Sequence, residues 1–147
     1  MSAATQAFIR LSYHDAMLTR RQCLMLPLWL PAAAHGSPAL QQAMRRASIM
    51  RDTAARAGDQ PYGAVVLRGE AIIGEAPSRV ITGNNPDAHA EREALRDALQ
   101  RTGSADLAGC VLVSTSRPCA LCEAAAAKLR IARMVHGTAL IDAGPPR

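Results

Sequence analysis

The segment NNPDAHAERE, Asn84 to Glu93, sets a histidine and a glutamate two positions apart directly after a turn-forming run. Further on, RPCALC sets two cysteines three positions apart, Cys119 and Cys122. These motifs restrict the fold more than any other feature of the chain. A metal ion shared by His89, Cys119 and Cys122 needs two distant segments to begin side by side. A spacing of three puts both sulfurs on one face of a helix, and Pro118 suits a helix's first turn. Two thiolates and one imidazole leave one corner of a tetrahedral zinc for water, whereas a structural site fills all four corners with protein. The remaining donors are poorly placed for that fourth corner. Cys110 lies in an apolar run, Cys23 lies near the N-terminus, and no spacing recommends His136.

Glu91 has two readings. A lone glutamate in the first turn of a helix is a partner for the helix dipole. Two residues after His89 and upstream of Pro118-Cys119-x-x-Cys122, it is also a carboxylate placed to take a proton from a metal-activated water. The same group would later return that proton to the reacting molecule.

The rest of the chain has to supply the scaffold. Its 147 residues suffice for one domain with a single core, and aromatics make up 3% of them, so that core rests on Ala, Leu, Val and Ile. Ser37-Pro38 predicts a helix start, followed by apolar residues at helical spacing from Leu40 to Ala54 and a stop at Gly58. Two strands, Ala64–Leu67 and Ala71–Gly74, read as a hairpin around Arg68-Gly69-Glu70. Asp87 predicts the cap of a second helix, Ala88–Arg101, ended by Gly103. The apolar run Cys110–Thr115 predicts a strand buried on both faces. A third helix runs from Pro118 to Arg130, and RMVHG is a short last strand. This order gives an α/β fold with helices covering a sheet.

Residues 1–36 read differently from the domain at 37–147. Arg20 and Arg21 precede an apolar run from Cys23 to Leu30, and Ala32–Ala34 follow as a cleavage site. That is the order of an export signal. TRRQCL resembles the twin-arginine type, with Cys23 in the usual phenylalanine position. The expectation is an exported or periplasmic protein, with a packed helical arm and a cytoplasmic location as the alternative. The net charge is +5 and the pI about 9.6, which permits nucleic-acid contact. The charges are scattered and aromatics are few, so nucleic acid is not the favoured partner. No apolar run reaches the about 20 residues of a membrane span.

H-x-E followed by P-C-x-x-C resembles the signature of zinc nucleobase deaminases. QPYGAVVLRGEAIIGE, NPDAHAEREAL and KLRIARMVHG are similar to the guanine deaminase and tRNA adenosine deaminase branch of the cytidine/deoxycytidylate deaminase superfamily. The resemblance implies a three-layer α/β/α sandwich around a mixed sheet. It implies one zinc per chain held by His89, Cys119 and Cys122, Glu91 as proton shuttle, and the backbone of Ala90 and the strand around Ala64 lining the substrate pocket. Ser78 falls where the branch carries an asparagine that bonds the substrate ring, and Arg117 where it carries a glutamate. Relatives continue past TALIDAGPPR, which leaves a closing partner subunit, an open pocket or a truncated gene as readings. The implied activity is hydrolytic deamination of a small nucleobase or nucleoside, guanine first, by attack of a zinc-bound hydroxide on the amino-bearing carbon. A tRNA adenosine deaminase is the alternative within the family. A non-catalytic zinc-stabilised domain is the alternative outside it. A homodimer is the expected assembly.

Overall fold

Ser37 begins the first helix by local chemistry: its Oγ accepts the Leu40 N–H at 3.3 Å, and Pro38 needs no partner for its nitrogen. The computed structural model describes residues 36–147. The extension and export signal expected over residues 1–36 therefore lie outside the described residues, except for Gly36. The order is α1 (Pro38–Arg56), β1 (Gly63–Arg68), β2 (Ala71–Pro77), α2 (Ala90–Thr102), β3 (Val111–Ser114), α3 (Ala120–Lys128), β4 (Arg133–His136) and β5 (Ile141–Gly144). Gly58, with φ of +77°, follows the end of α1, and Gly103, at +63°, caps α2; both occupy the left-handed region that glycine tolerates best.

The strands form one sheet in the order β2-β1-β3-β4-β5. β3 and β4 run parallel, and the other neighbouring pairs are antiparallel, so the sheet is mixed. β1 is buried from Gly63 to Leu67 because both of its faces are covered. Val65 and Leu67 join Ala43, Met44 and Ala47 of α1 on one face. Ala64 and Val66 join Ala94 and Ala98 of α2 and Ala126 of α3 on the other. The result is a three-layer α/β/α sandwich. Small residues let the layers meet closely. A Cβ on Gly74 would lie 2.6 Å from the Ala94 carbonyl oxygen, and one on Gly63 would lie 2.1 Å from that of Ala47. Any side chain there would push α2 or α1 off the sheet.

The structure corrects several boundaries. α2 starts at Ala90, and its cap is His89, not Asp87. Asp87 is drawn into the preceding turn, where its N–H donates to Asn85 Oδ1 at 2.9 Å and its carboxylate pairs with Arg92 at 2.6 Å. β2 continues to Pro77, and β5 is an additional edge strand paired with β4. Among the described residues, no helix is long and apolar enough to cross a membrane.

Candidate metal centre and active site

Two helix N-termini deliver the metal donors. His89 is the N-cap of α2 and Cys119 the N-cap of α3, both with extended backbone, and neither side chain makes a capping hydrogen bond to a backbone N–H. Ser, Thr, Asp and Asn are preferred at such positions because they satisfy a free N–H. Here both caps forgo that bond, which leaves the ring and the sulfur available elsewhere. The loop carrying Cys119 is anchored to β1, with the Thr115 N–H donating to the Gly63 carbonyl at 3.0 Å and the Gly63 N–H to Thr115 Oγ1 at 3.1 Å. The Ser114 hydroxyl donates to the Ser116 carbonyl at 2.6 Å and tightens the turn.

The donors converge. His89 Nδ1 lies 3.7 Å from Cys119 Sγ and 3.6 Å from Cys122 Sγ, and the sulfurs are 3.6 Å apart. With Zn–S of about 2.3 Å and Zn–N of about 2.0 Å, a tetrahedral ion sets sulfurs about 3.8 Å apart and sulfur and nitrogen about 3.5 Å apart. The spacing fits one zinc per chain. Among the described residues no fourth donor joins the three; Cys110 and His136 are not part of the group. Burial, then the charge of Glu91, push the Cys122 thiol up from its ordinary range. The thiolate therefore needs a cation beside it, and a divalent metal meets that need.

Glu91 is 5% exposed, with Oε2 3.7 Å from Cys122 Sγ. Burial raises its carboxyl above the ordinary range, against the opposing pull of its own N–H, of His89 and of the Cys122 thiol. A carboxylate poised upward in this way suits proton transfer near neutral pH.

The cleft over these groups is lined by Gln60, Tyr62, His89, Glu91, Ser116, Arg117 and Cys119 and encloses about 230 Å³. A second groove, between β2 and α2, is lined by charged residues including Glu75, Arg79, Glu93 and Arg96 and contains none of the metal donors; we place the site in the first. Three expected substrate contacts are not among the residues lining it. Ala64 is fully buried, with its backbone paired to Ala76 and Ser114. The Ala90 side chain is 1% exposed and packs in the core. Ser78 is 1% exposed, and its hydroxyl donates to Asp59 Oδ1 at 2.9 Å. Gln60, Tyr62 and Ser116 line the cleft without having been foreseen. Their one sequence signal is position: they lie in the short segments just before β1 and α3.

A family model described as the cytidine and deoxycytidylate deaminase zinc-binding region matches residues 37–138. The tRNA(Ile)-lysidine synthase of Deinococcus deserti is 41% identical over 115 residues, covering 76% of this chain and 22% of that protein. The guanine deaminase of Bacillus subtilis is 42% identical over 62 residues, covering 42% of this chain and 40% of that one. This chain thus spans less than half the length of either relative. A solved structure from studies of A-to-I editing by tRNA:A34 deaminases superposes with a TM-score of 0.63 at 31% identity, covering 65% of this chain and 70% of that chain.

Proposed function

The chain belongs to the cytidine and deoxycytidylate deaminase zinc-binding family, and on that premise we propose that it hydrolyses the amino group of a purine or pyrimidine ring to a carbonyl, releasing ammonia. One observation carries the reading: His89, Cys119 and Cys122 meet within 3.7 Å of one another, with the buried Glu91 carboxylate beside them. Those three side chains would hold the zinc. When bound, zinc supplies Lewis-acid activation that lowers the pKa of a water molecule. Glu91 accepts a proton from that water and passes it to the ring nitrogen next to the attacked carbon. It would then take the remaining proton from the newly attached hydroxyl and deliver it to the departing amine, so the C–N bond breaks as the carbonyl forms and Glu91 returns to its starting state. A domain merely stapled by zinc has no use for Glu91, because a buried carboxylate without a task is costly.

For substrate we put guanine and related free bases or nucleosides first, supported by the likeness to the Bacillus subtilis guanine deaminase. An exported protein, the expectation from residues 17–36, would meet free bases rather than tRNA; cell fractionation tests that location. The second reading, adenosine in tRNA, is supported by the structural likeness to tRNA:A34 deaminases and by the net charge of +5. The expected homodimer belongs to the same proposal. Leu121, 64% exposed on α3, lines a groove with Ala124, Ala125 and Leu129 that a second copy would cover, and sedimentation measures it.

The test is ammonia release by zinc-loaded protein from guanine, adenine, cytosine, their nucleosides and unmodified tRNA. Release from a free base or nucleoside supports the first reading, and release from tRNA alone replaces it with the second. Zinc-replete protein that releases nothing from any of them is a stapled domain.

A further inference from the structure

Ser78 is fully engaged by Asp59, and the same carboxylate fixes Gln60. Asp59 is 6% exposed. Its Oδ1 accepts the Gln60 N–H at 2.8 Å and the Ser78 hydroxyl at 2.9 Å. Its Oδ2 accepts the Ile81 N–H at 3.1 Å, the Thr82 N–H at 2.8 Å and the Thr82 hydroxyl at 2.8 Å. The Ser78 N–H adds a strap to the Tyr62 carbonyl at 3.0 Å. A hydroxyl has one proton to donate, and that of Ser78 is committed to Asp59 in a site closed to solvent. Ser78 therefore has no donor left for a ligand.

Gln60 stands in the opposite situation. It lines the cleft together with His89 and Glu91. Its backbone is held on both sides, by Asp59 at the N–H and by the Tyr62 N–H, which donates to the Gln60 carbonyl at 2.7 Å. Pro61 stiffens the link to Tyr62. Its carboxamide makes no hydrogen bond among the described residues, and it is the one carboxamide among the lining side chains. A carboxamide carries a donor and an acceptor side by side, which matches an amino-heterocycle edge where a donor and an acceptor are adjacent, as glutamine matches adenine.

Resting on the deaminase reading, we propose that Gln60 is the specificity-determining residue of the cleft, its carboxamide reading the ring edge of an amino-purine or amino-pyrimidine, and that Asp59 is its positioning residue. Asp59 thus does two things at once: it removes Ser78 from the ligand and holds Gln60 toward it.

The experiment measures both ammonia release and equilibrium binding of free bases by calorimetry, on wild type, Gln60→Ala and Ser78→Ala, all zinc-loaded. Gln60→Ala is expected to weaken binding of the preferred base by about 10- to 100-fold, the range for an unpaired hydrogen-bonding group. It also flattens the preference between that base and an analogue lacking one edge heteroatom, while zinc content and Tm stay at wild-type values. Ser78→Ala keeps the preference, even where its Tm falls. Unchanged preference in Gln60→Ala overturns the proposal, as does collapse of preference in Ser78→Ala with Gln60→Ala unaffected. Binding that depends on Gln60 without ammonia release removes the deaminase reading and leaves the recognition role standing. No binding of any base by wild type removes the recognition role as well.

Discussion

Asp59 and Glu91 are both buried carboxylates beside one cleft, and their surroundings drive them in opposite directions. Burial favours the neutral form of each. At Asp59 that effect is outweighed by hydrogen bonds from the Thr82 N–H and hydroxyl, the Ser78 hydroxyl and the Gln60 N–H, which hold the carboxyl far below the usual range. Glu91 lacks such a cage, and burial wins. One carboxylate is held charged by its donors and ties Gln60 to the segment from Ser78 to Thr82. The other is left able to change charge. Residue type does not tell which buried acid stays charged; the number of donors aimed at it does.

The sharpest way to break that comparison is to remove the metal donors. Cys122→Ala is expected to bind no zinc, to lose all ammonia release and to melt at a lower temperature than wild type, as metal analysis and calorimetry will show, because metal-binding energy is part of folding energy. Glu91→Gln comes next. Loss of a general acid–base lowers kcat by about 100- to 10,000-fold, with zinc content unchanged and Tm equal to wild type or higher. Asp59→Asn should do the reverse. It disturbs a buried network and lowers stability by about 1–3 kcal/mol in denaturant titration, while zinc stays bound.

Acid titration sharpens the contrast. The folded carboxyl of Asp59 lies below its unfolded value of about 3.9. Its contribution is therefore complete above that value and is lost as pH falls toward the folded one. Wild type should lose stability below about pH 5 more steeply than Asp59→Asn. The smallest effect belongs to Arg117, which is exposed at the cleft mouth and has no carboxylate partner among the described residues. Arg117→Glu should change KM by less than about 10-fold, with the change shrinking as salt rises.

Much of this was legible in the sequence because its signals are local. The pairs His89/Glu91 and Cys119/Cys122 announce themselves by spacing, and the doubly buried β1 and β3 by their apolar runs. Ser37-Pro38 announces α1. The misses have a common cause. Asp87 is an ordinary N-cap by type, but the turn at Asn85 claims it and His89 takes the cap. β5 is four residues at an edge, with no alternation of its own, and exists because β4 offers a free side. Ser78 is marked as a ligand contact only by the resemblance, which puts a substrate-binding asparagine there. Its real partner is 19 residues earlier in the chain, and no spacing rule connects them. Gln60 had only its place shortly before β1 as a signal, since the folded sheet alone brings it into the cleft that His89 lines.

Zinc content and ammonia release, measured on the same samples of wild type and Glu91→Gln, test the central claim most directly. The account predicts one zinc per chain in both proteins, with ammonia from at least one base, nucleoside or tRNA for wild type and at least 100-fold less for the variant. Equal rates at equal zinc, or zinc-replete wild type that releases no ammonia from any of them, would contradict it.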